Sequence, residues 1–128
     1  MSEWKEYKLG DIATYVNRGV SPTYVEDNGL PIINQKCIRN GIIDLNNIKY
    51  TSKSKSYTIE KKLIKNDILV NSTGVGTAGR VTLFLFDETY YVDTHVSLVR
   101  IDTNIANPKF VFYNLFGREK EIENIAEG

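Results

Sequence analysis

Apolar positions along this chain fall in short β-branched runs more than in the three-to-four-residue spacing of an amphipathic helix. Leu30-Pro31-Ile32-Ile33 lies between Asn28-Gly29 and the polar Asn34-Gln35-Lys36, the pattern of a buried strand with turn residues at its ends. Ile68-Leu69-Val70, Val81 to Phe86 and Val96-Ser97-Leu98-Val99-Arg100-Ile101 read as further strands, rich in residues that fit a pleated surface. Trp4 to Val16 mixes a strand-like opening with a short helical turn around Leu9 to Ala13, and Asn17-Arg18-Gly19 with Ser21-Pro22 marks a loop. Thr51 to Tyr57 is polar and without period, so a mobile surface segment is expected there, followed by a helical turn within Ile59 to Lys65. From Pro108, a good first helical residue, Phe110, Val111, Tyr113, Leu115 and Phe116 crowd one segment that Asn107 can cap. No repeat, low-complexity tract or linker divides the chain, so residues 1–128 are expected to form one α+β domain, mostly sheet, with a C-terminal helical segment.

Length and composition narrow the class without naming a function. A domain of 128 residues buries roughly two thirds of its unfolded surface, and 41% hydrophobic with 25% charged residues is ordinary globular composition. The longest apolar stretch, Val81 to Phe86, is far shorter than the roughly 20 residues a membrane helix needs, and Met1-Ser2-Glu3-Trp4-Lys5 does not read as a secretory signal. A cytoplasmic protein with no membrane partner is expected. The single cysteine, Cys37, has no internal disulfide partner and is expected as a buried thiol. The 16 basic and 16 acidic residues cancel, yet Lys49, Lys53, Lys55, Lys61, Lys62 and Lys65 share a stretch whose only acid is Glu60. That local excess suits about five phosphates, although a lysine cluster is more often a solvated face. The C-terminal stretch is acidic, with Glu119, Glu121, Glu123 and Glu127 against Arg118 and Lys120.

Gly74, Gly76 and Gly79 satisfy G-x-G-x-x-G directly after an expected strand, which is how a dinucleotide-binding turn begins. That turn must open a helix whose amides face the pyrophosphate, whereas Arg80-Val81-Thr82-Leu83-Phe84 continues as a strand. Asp87 and Glu88 also come too early for a ribose contact. The loop reads instead as a strand-to-strand connection, either a tight structural turn or a DNA contact through Asn71, Ser72, Thr73, Thr77 and Arg80.

The run Asn66-Asp67-Ile68-Leu69-Val70-Asn71-Ser72-Thr73-Gly74-Val75-Gly76-Thr77-Ala78-Gly79-Arg80-Val81, followed by Val92-Asp93-Thr94-His95-Val96, resembles the target-recognition domain of Type I restriction-modification specificity subunits. Type IIG specificity domains are similar. Trp4, Leu9-Gly10-Asp11-Ile12, Arg18-Gly19-Val20-Ser21-Pro22, Leu30-Pro31-Ile32-Ile33 and Asn107-Pro108-Lys109-Phe110-Val111 extend the resemblance, in order, over nearly the whole chain. It implies an irregular, barrel-like mixed sheet with peripheral short helices that reads one half of a split double-stranded DNA site. It also implies no catalysis and no cofactor, with methylation and cleavage left to partner methyltransferase and restriction or translocation subunits. Relatives continue beyond Gly128 into a spacer helix, so a single, monomeric half-site domain is expected.

Candidate DNA contacts are Arg18, Ser21, Thr23, Tyr24, Gln35, Lys36, Arg39, Lys53, Lys55, Asn71, Ser72, Thr73, Thr77, Arg80 and His95, with Gly74, Gly76 and Gly79 shaping the loop. Arg18 and Arg39 sit beside glycine or asparagine, where a guanidinium can meet guanine or simply face solvent. Tyr24 can stack or reach a phosphate, while Trp4 suits the core. His95 has no nucleophile elbow near it, and one histidine with one distant cysteine is no metal ligand set, which leaves a DNA contact or a hydrogen-bonded strand end. Two other classes stay open: a nucleotide-binding enzyme fragment using the glycine loop, and a protein-interaction module that has lost DNA binding.

Overall fold

Val96–Ile101 shows why the first sheet forms. Val96, Leu98, Val99 and Ile101 are buried while Ser97 and Arg100 stay half-buried, so this strand is covered on both faces. The computed structural model describes residues 10–73 and 76–120. Among the described residues ten strands run in chain order: β1 (Ala13–Arg18), β2 (Tyr24–Val25), β3 (Gly29–Ile33), β4 (Ile38–Arg39), β5 (Ile42–Ile43), β6 (Lys49–Ser52), β7 (Ile68–Asn71), β8 (Val81–Leu83), β9 (Tyr91–Val92) and β10 (Val96–Ile101). The first sheet has the order β1-β10-β7-β8, all antiparallel. The second has the order β2-β6-β3-β9, in which β3 and β9 are parallel, and β4 with β5 makes a separate hairpin. Among the described residues the mixed sheets do not close into a barrel, and the α+β class holds.

The helix α1 (Pro108–Phe116) starts where expected. The Asn107 side chain accepts the Lys109 and Phe110 amides at 2.9 and 3.4 Å, and Pro108 occupies the first turn, where no amide donor is missed. Val111, Phe112 and Leu115, at i, i+1 and i+4, bury one face against Ile68, Val81, Leu83 and Val99. On the other side of the first sheet Ile33, Cys37, Ile38, Leu69, Phe84 and Leu98 form a second core, and the Cys37 thiol, fully buried, is pushed above its ordinary pKa chiefly by that burial. A part-buried ion pair ties the turn before β7 to β10: the Arg100 guanidinium donates from Nε and Nη2 to the two Asp67 oxygens, each at 2.8 Å.

Two local expectations change. The apolar run from Val81 leaves the ladder after Leu83, because the Phe84 amide turns to the Asp67 carbonyl and its own carbonyl accepts the Asn66 amide. Phe84 is nevertheless fully buried, its ring edge-on to Phe86 and Tyr90, so apolarity there signals core and not strand. Thr51 to Tyr57 is not uniformly a surface segment. Thr51 is fully buried in β6 with its hydroxyl 2.9 Å from that of Tyr57, and only residues 53–56 are exposed throughout. The helical turn expected around Leu9 to Ala13 is present at residues 10–12, whereas Trp4, Leu9 and Gly74 lie outside the described residues.

Candidate nucleic-acid interface

β3 is followed by Asn34, whose carboxamide caps the 3₁₀ turn Gln35–Cys37 by accepting the Lys36 amide at 2.9 Å and donates to the Asn47 carbonyl at 2.8 Å. The two short turns 35–37 and 45–47 are thereby held side by side. Opposite them, Asp93 follows β9, hydrogen-bonds through its amide to the Ile33 carbonyl, and bridges Val20 in parallel fashion. Gly19 lets this junction close: a Cβ there would lie 2.0 Å from the Val92 oxygen and 2.3 Å from the Asp93 oxygen. Between these walls is a cleft of about 320 Å³ lined by Tyr24, Lys36, Lys49 and His95 at its rim, by Gln35 and Asn47, and by the more deeply placed Asn34 and Asp93.

The cleft has mixed electrostatics. The Lys49 ammonium lies 5.1 Å from the centroid of the Tyr24 ring, a cation over an aromatic face. Asp93 is only 3% exposed, and its Oδ1 accepts the His95 amide at 3.0 Å. Burial raises the Asp93 carboxyl above its ordinary pKa, opposed by that amide and by the nearby His95 and Lys49, while burial and Asp93 raise the Tyr24 phenol. The His95 Nδ1 is 2.6 Å from the Thr73 hydroxyl, and the Ser72 amide donates to the His95 carbonyl at 3.0 Å. The start of the glycine loop is thus fastened to the edge of the cleft.

The loop itself joins two antiparallel strands, β7 and β8, with Gly76 at φ +79° and Gly79 at φ +92°. It opens no helix, so the geometry of a dinucleotide turn is not there. Asn71, expected on the outside as a DNA contact, is fully buried, and its amide donates to the Gln35 carbonyl at 2.9 Å and the Thr77 carbonyl at 3.0 Å. Arg80 likewise binds inward, to the Ile38 carbonyl at 3.3 Å and the Gly76 carbonyl at 3.0 Å. These two side chains, with the Thr77 carbonyl, brace the loop against the Gln35–Cys37 turn.

Of the expected contacts, the cleft and its edge gather Tyr24, Gln35, Lys36, Ser72, Thr73 and His95. Arg18 is exposed at the end of β1, Ser21 and Thr23 are exposed between β1 and β2, and Lys53 and Lys55 are exposed beyond β6. Ser21 and Lys55 line a separate cleft of about 370 Å³ with Tyr57 and Lys61. Arg39 stands apart on the β4–β5 hairpin, exposed beside Asn40 and Gly41, which turn the chain with positive φ. Sequence reasoning did not single out Asn34, Asn47 or Asp93 and counted Lys49 only as charge. The polar Asn34-Gln35-Lys36 run at the end of a buried strand, and Asp93 two residues before His95, were the available signals.

A second acid is placed behind the loop. Glu119 Oε2 accepts the Val81 amide at 2.8 Å, and burial raises its carboxyl pKa against the pull of that amide and of Arg80. A carboxyl whose folded pKa lies above its unfolded one, about 4.3 for Glu, binds its proton more tightly in the folded state. Its stabilising contribution is complete below the unfolded value and is lost as pH rises through the folded one. Glu119→Gln keeps an acceptor for Val81 but removes this titration, so wild type should lose stability relative to the variant as pH rises from about 4 to 7. Urea unfolding of both proteins across that range reads the effect, and parallel stability curves would contradict it.

The whole chain, residues 1–128, matches the family described as Type I restriction modification DNA specificity domain. It is 30% identical over 124 residues to the Type I restriction enzyme HindI specificity subunit of Haemophilus influenzae, an alignment covering 93% of this chain and 25% of that protein. In fold it is similar to the HsdS subunit from Thermoanaerobacter tengcongensis, with a TM-score of 0.69, 18% identity, and coverage of 93% of this chain and 28% of that one. The chain therefore spans about a quarter of the length of the curated relative it matches.

Proposed function

Because this chain belongs to the Type I restriction modification DNA specificity domain family, we propose that it binds double-stranded DNA in sequence-specific fashion at the Tyr24–His95 cleft and reads one half of a bipartite site. The observation that carries this reading is the convergence of Lys36, Lys49, His95 and the amide of Gln35 on one open cleft next to the glycine loop. Lysines there neutralise phosphates and set the register, while amide, hydroxyl and imidazole groups face base edges. The domain performs no chemistry. Methyltransferase and restriction subunits act with the larger protein of which such a domain is one part.

The lysine excess supplies fewer phosphate contacts than its count suggests. The Lys61 ammonium is held by the Arg18 and Gly19 carbonyls, and Lys65 pairs with Asp87 at 2.9 Å. Of that stretch Lys49, Lys53, Lys55 and Lys62 remain, all exposed. Neutralising about four phosphates, at a slope near −0.9 for each, weakens binding roughly 150-fold between 50 and 200 mM salt. Fluorescence anisotropy with a randomised duplex measures that slope, and salt-insensitive or absent binding would count against the proposal.

A further inference from the structure

We propose that Asp93 is a specificity-determining residue: at the floor of the cleft its carboxylate accepts a hydrogen bond from the exocyclic N4 amino group of a cytosine. The inference rests on the DNA-binding reading above and names the base-edge chemistry that one part of the site selects.

The residue is a charged side chain placed where charge is unfavourable. Asp93 is 3% exposed, yet it lines an open cleft. Oδ1 is occupied by the His95 amide, and Oδ2 has no hydrogen-bond partner among the described residues. The turn alone does not require an acid. Its one side-chain bond is the two-residues-on contact that an asparagine oxygen makes equally well, without the desolvation of a buried carboxylate. Asp44 and Asp102 make the same kind of bond at exposed turns, where a charge is easily solvated. What distinguishes Asp93 is the second oxygen, an acceptor at the bottom of a cleft whose rim carries the donors Lys36, Lys49 and His95.

That arrangement discriminates among base edges. Rim cations suit phosphate oxygens, while a floor carboxylate needs a donor. In the major groove guanine and thymine present carbonyl oxygens, which a carboxylate repels. Adenine presents its amino group beside the N7 acceptor, a pair matched by an amide. Cytosine presents its amino group as a donor without an acceptor of its own beside it, the match for a carboxylate. Selection thus comes both from the hydrogen bond and from exclusion of carbonyl-bearing bases.

Duplexes bound by the full chain are selected from a random pool, in parallel for wild type and Asp93→Asn. Asparagine keeps an oxygen for the His95 amide but offers NH₂ in place of the second acceptor. Wild type should fix a cytosine at one position, and the variant should exchange it for guanine or thymine there while leaving the remaining positions and the salt slope as they were. A second measurement does not depend on the variant's folding. Placing N4-methylcytosine at the fixed position removes the free amino hydrogen without breaking the base pair, and it should weaken wild-type binding by about 10- to 150-fold, the value of a hydrogen bond to a charged group. An unchanged consensus for Asp93→Asn, no fixed cytosine for wild type, or full affinity for the methylated duplex each overturns the role of Asp93. Absence of any DNA binding by wild type overturns the underlying reading as well, and the two failures are told apart by the wild-type anisotropy alone.

Discussion

Replacing Asp67 with alanine should destabilise the protein by about 3–5 kcal/mol, the cost of leaving a partner charge without its mate in a poorly solvated place. Asp67 is 1% exposed and Arg100 19%, and the carboxylate holds more than the guanidinium: its Oδ2 also accepts the Ile64 amide at 2.8 Å. Arg100 in turn donates to the Lys62 carbonyl at 3.0 Å and lies 5.7 Å from the centroid of the Tyr15 ring. Loss of Asp67 would therefore loosen the turn into β7, the β7–β10 seam and the segment before β7 together. Replacing both members with apolar residues of similar size should cost much less than either single change, since no uncompensated charge remains. Urea denaturation of the two single variants and the double variant provides the cycle, and a loss below about 1 kcal/mol for Asp67→Ala would show that solvent reaches the pair.

Gly19→Ala should be almost as damaging, at about 3 kcal/mol, the upper end of overpacking. The atoms its Cβ would strike are backbone oxygens, so no side-chain rotation relieves the clash. Relief requires the β1–β2 loop to back away from the Val92–Asp93 segment, which would break the Val20–Asp93 bridge and spread the cleft floor. DNA affinity should fall even at temperatures where the variant is fully folded. Gly10→Ala is the control, because nothing among the described residues lies within 4 Å of its Cβ position. Equal thermal stability and equal DNA affinity for the Gly19 and Gly10 variants would mean that the junction is more compliant than its distances imply.

Long apolar runs carried most of the legible fold. β3, β7 and β10 and the start of α1 were readable because four or more residues of consistent burial, or a proline behind a capping asparagine, outweigh local noise. The two-residue strands β2, β4, β5 and β9 were not, since a period of two cannot be detected in two residues. The partners of β2 and β9 are also distant: Tyr24 pairs with Thr51, and Ile32 with Tyr91. The site was legible as a set of polar loop residues but not as a partition. Asn71 and Arg80 have the chemistry of DNA contacts, and only the positions of the Gln35, Thr77, Ile38 and Gly76 carbonyls turn them inward. Asp93 has the opposite bias, an acid where phosphate binding calls for cations.

The parallel pairing of β3 with β9 also fixes when the Tyr24–His95 cleft can exist. A hairpin can zip as soon as its second strand has been made, but this pairing must close a loop of nearly sixty residues before it gains a single hydrogen bond, and the entropy of that closure has to be met first. Tyr24, Gln35 and Lys49 leave the ribosome well before Asp93 and His95 do. Until the later pair arrives, the earlier residues have half a cleft and no floor. The nascent chain therefore cannot assemble the proposed DNA-reading cleft until β9 has been made and has paired with β3.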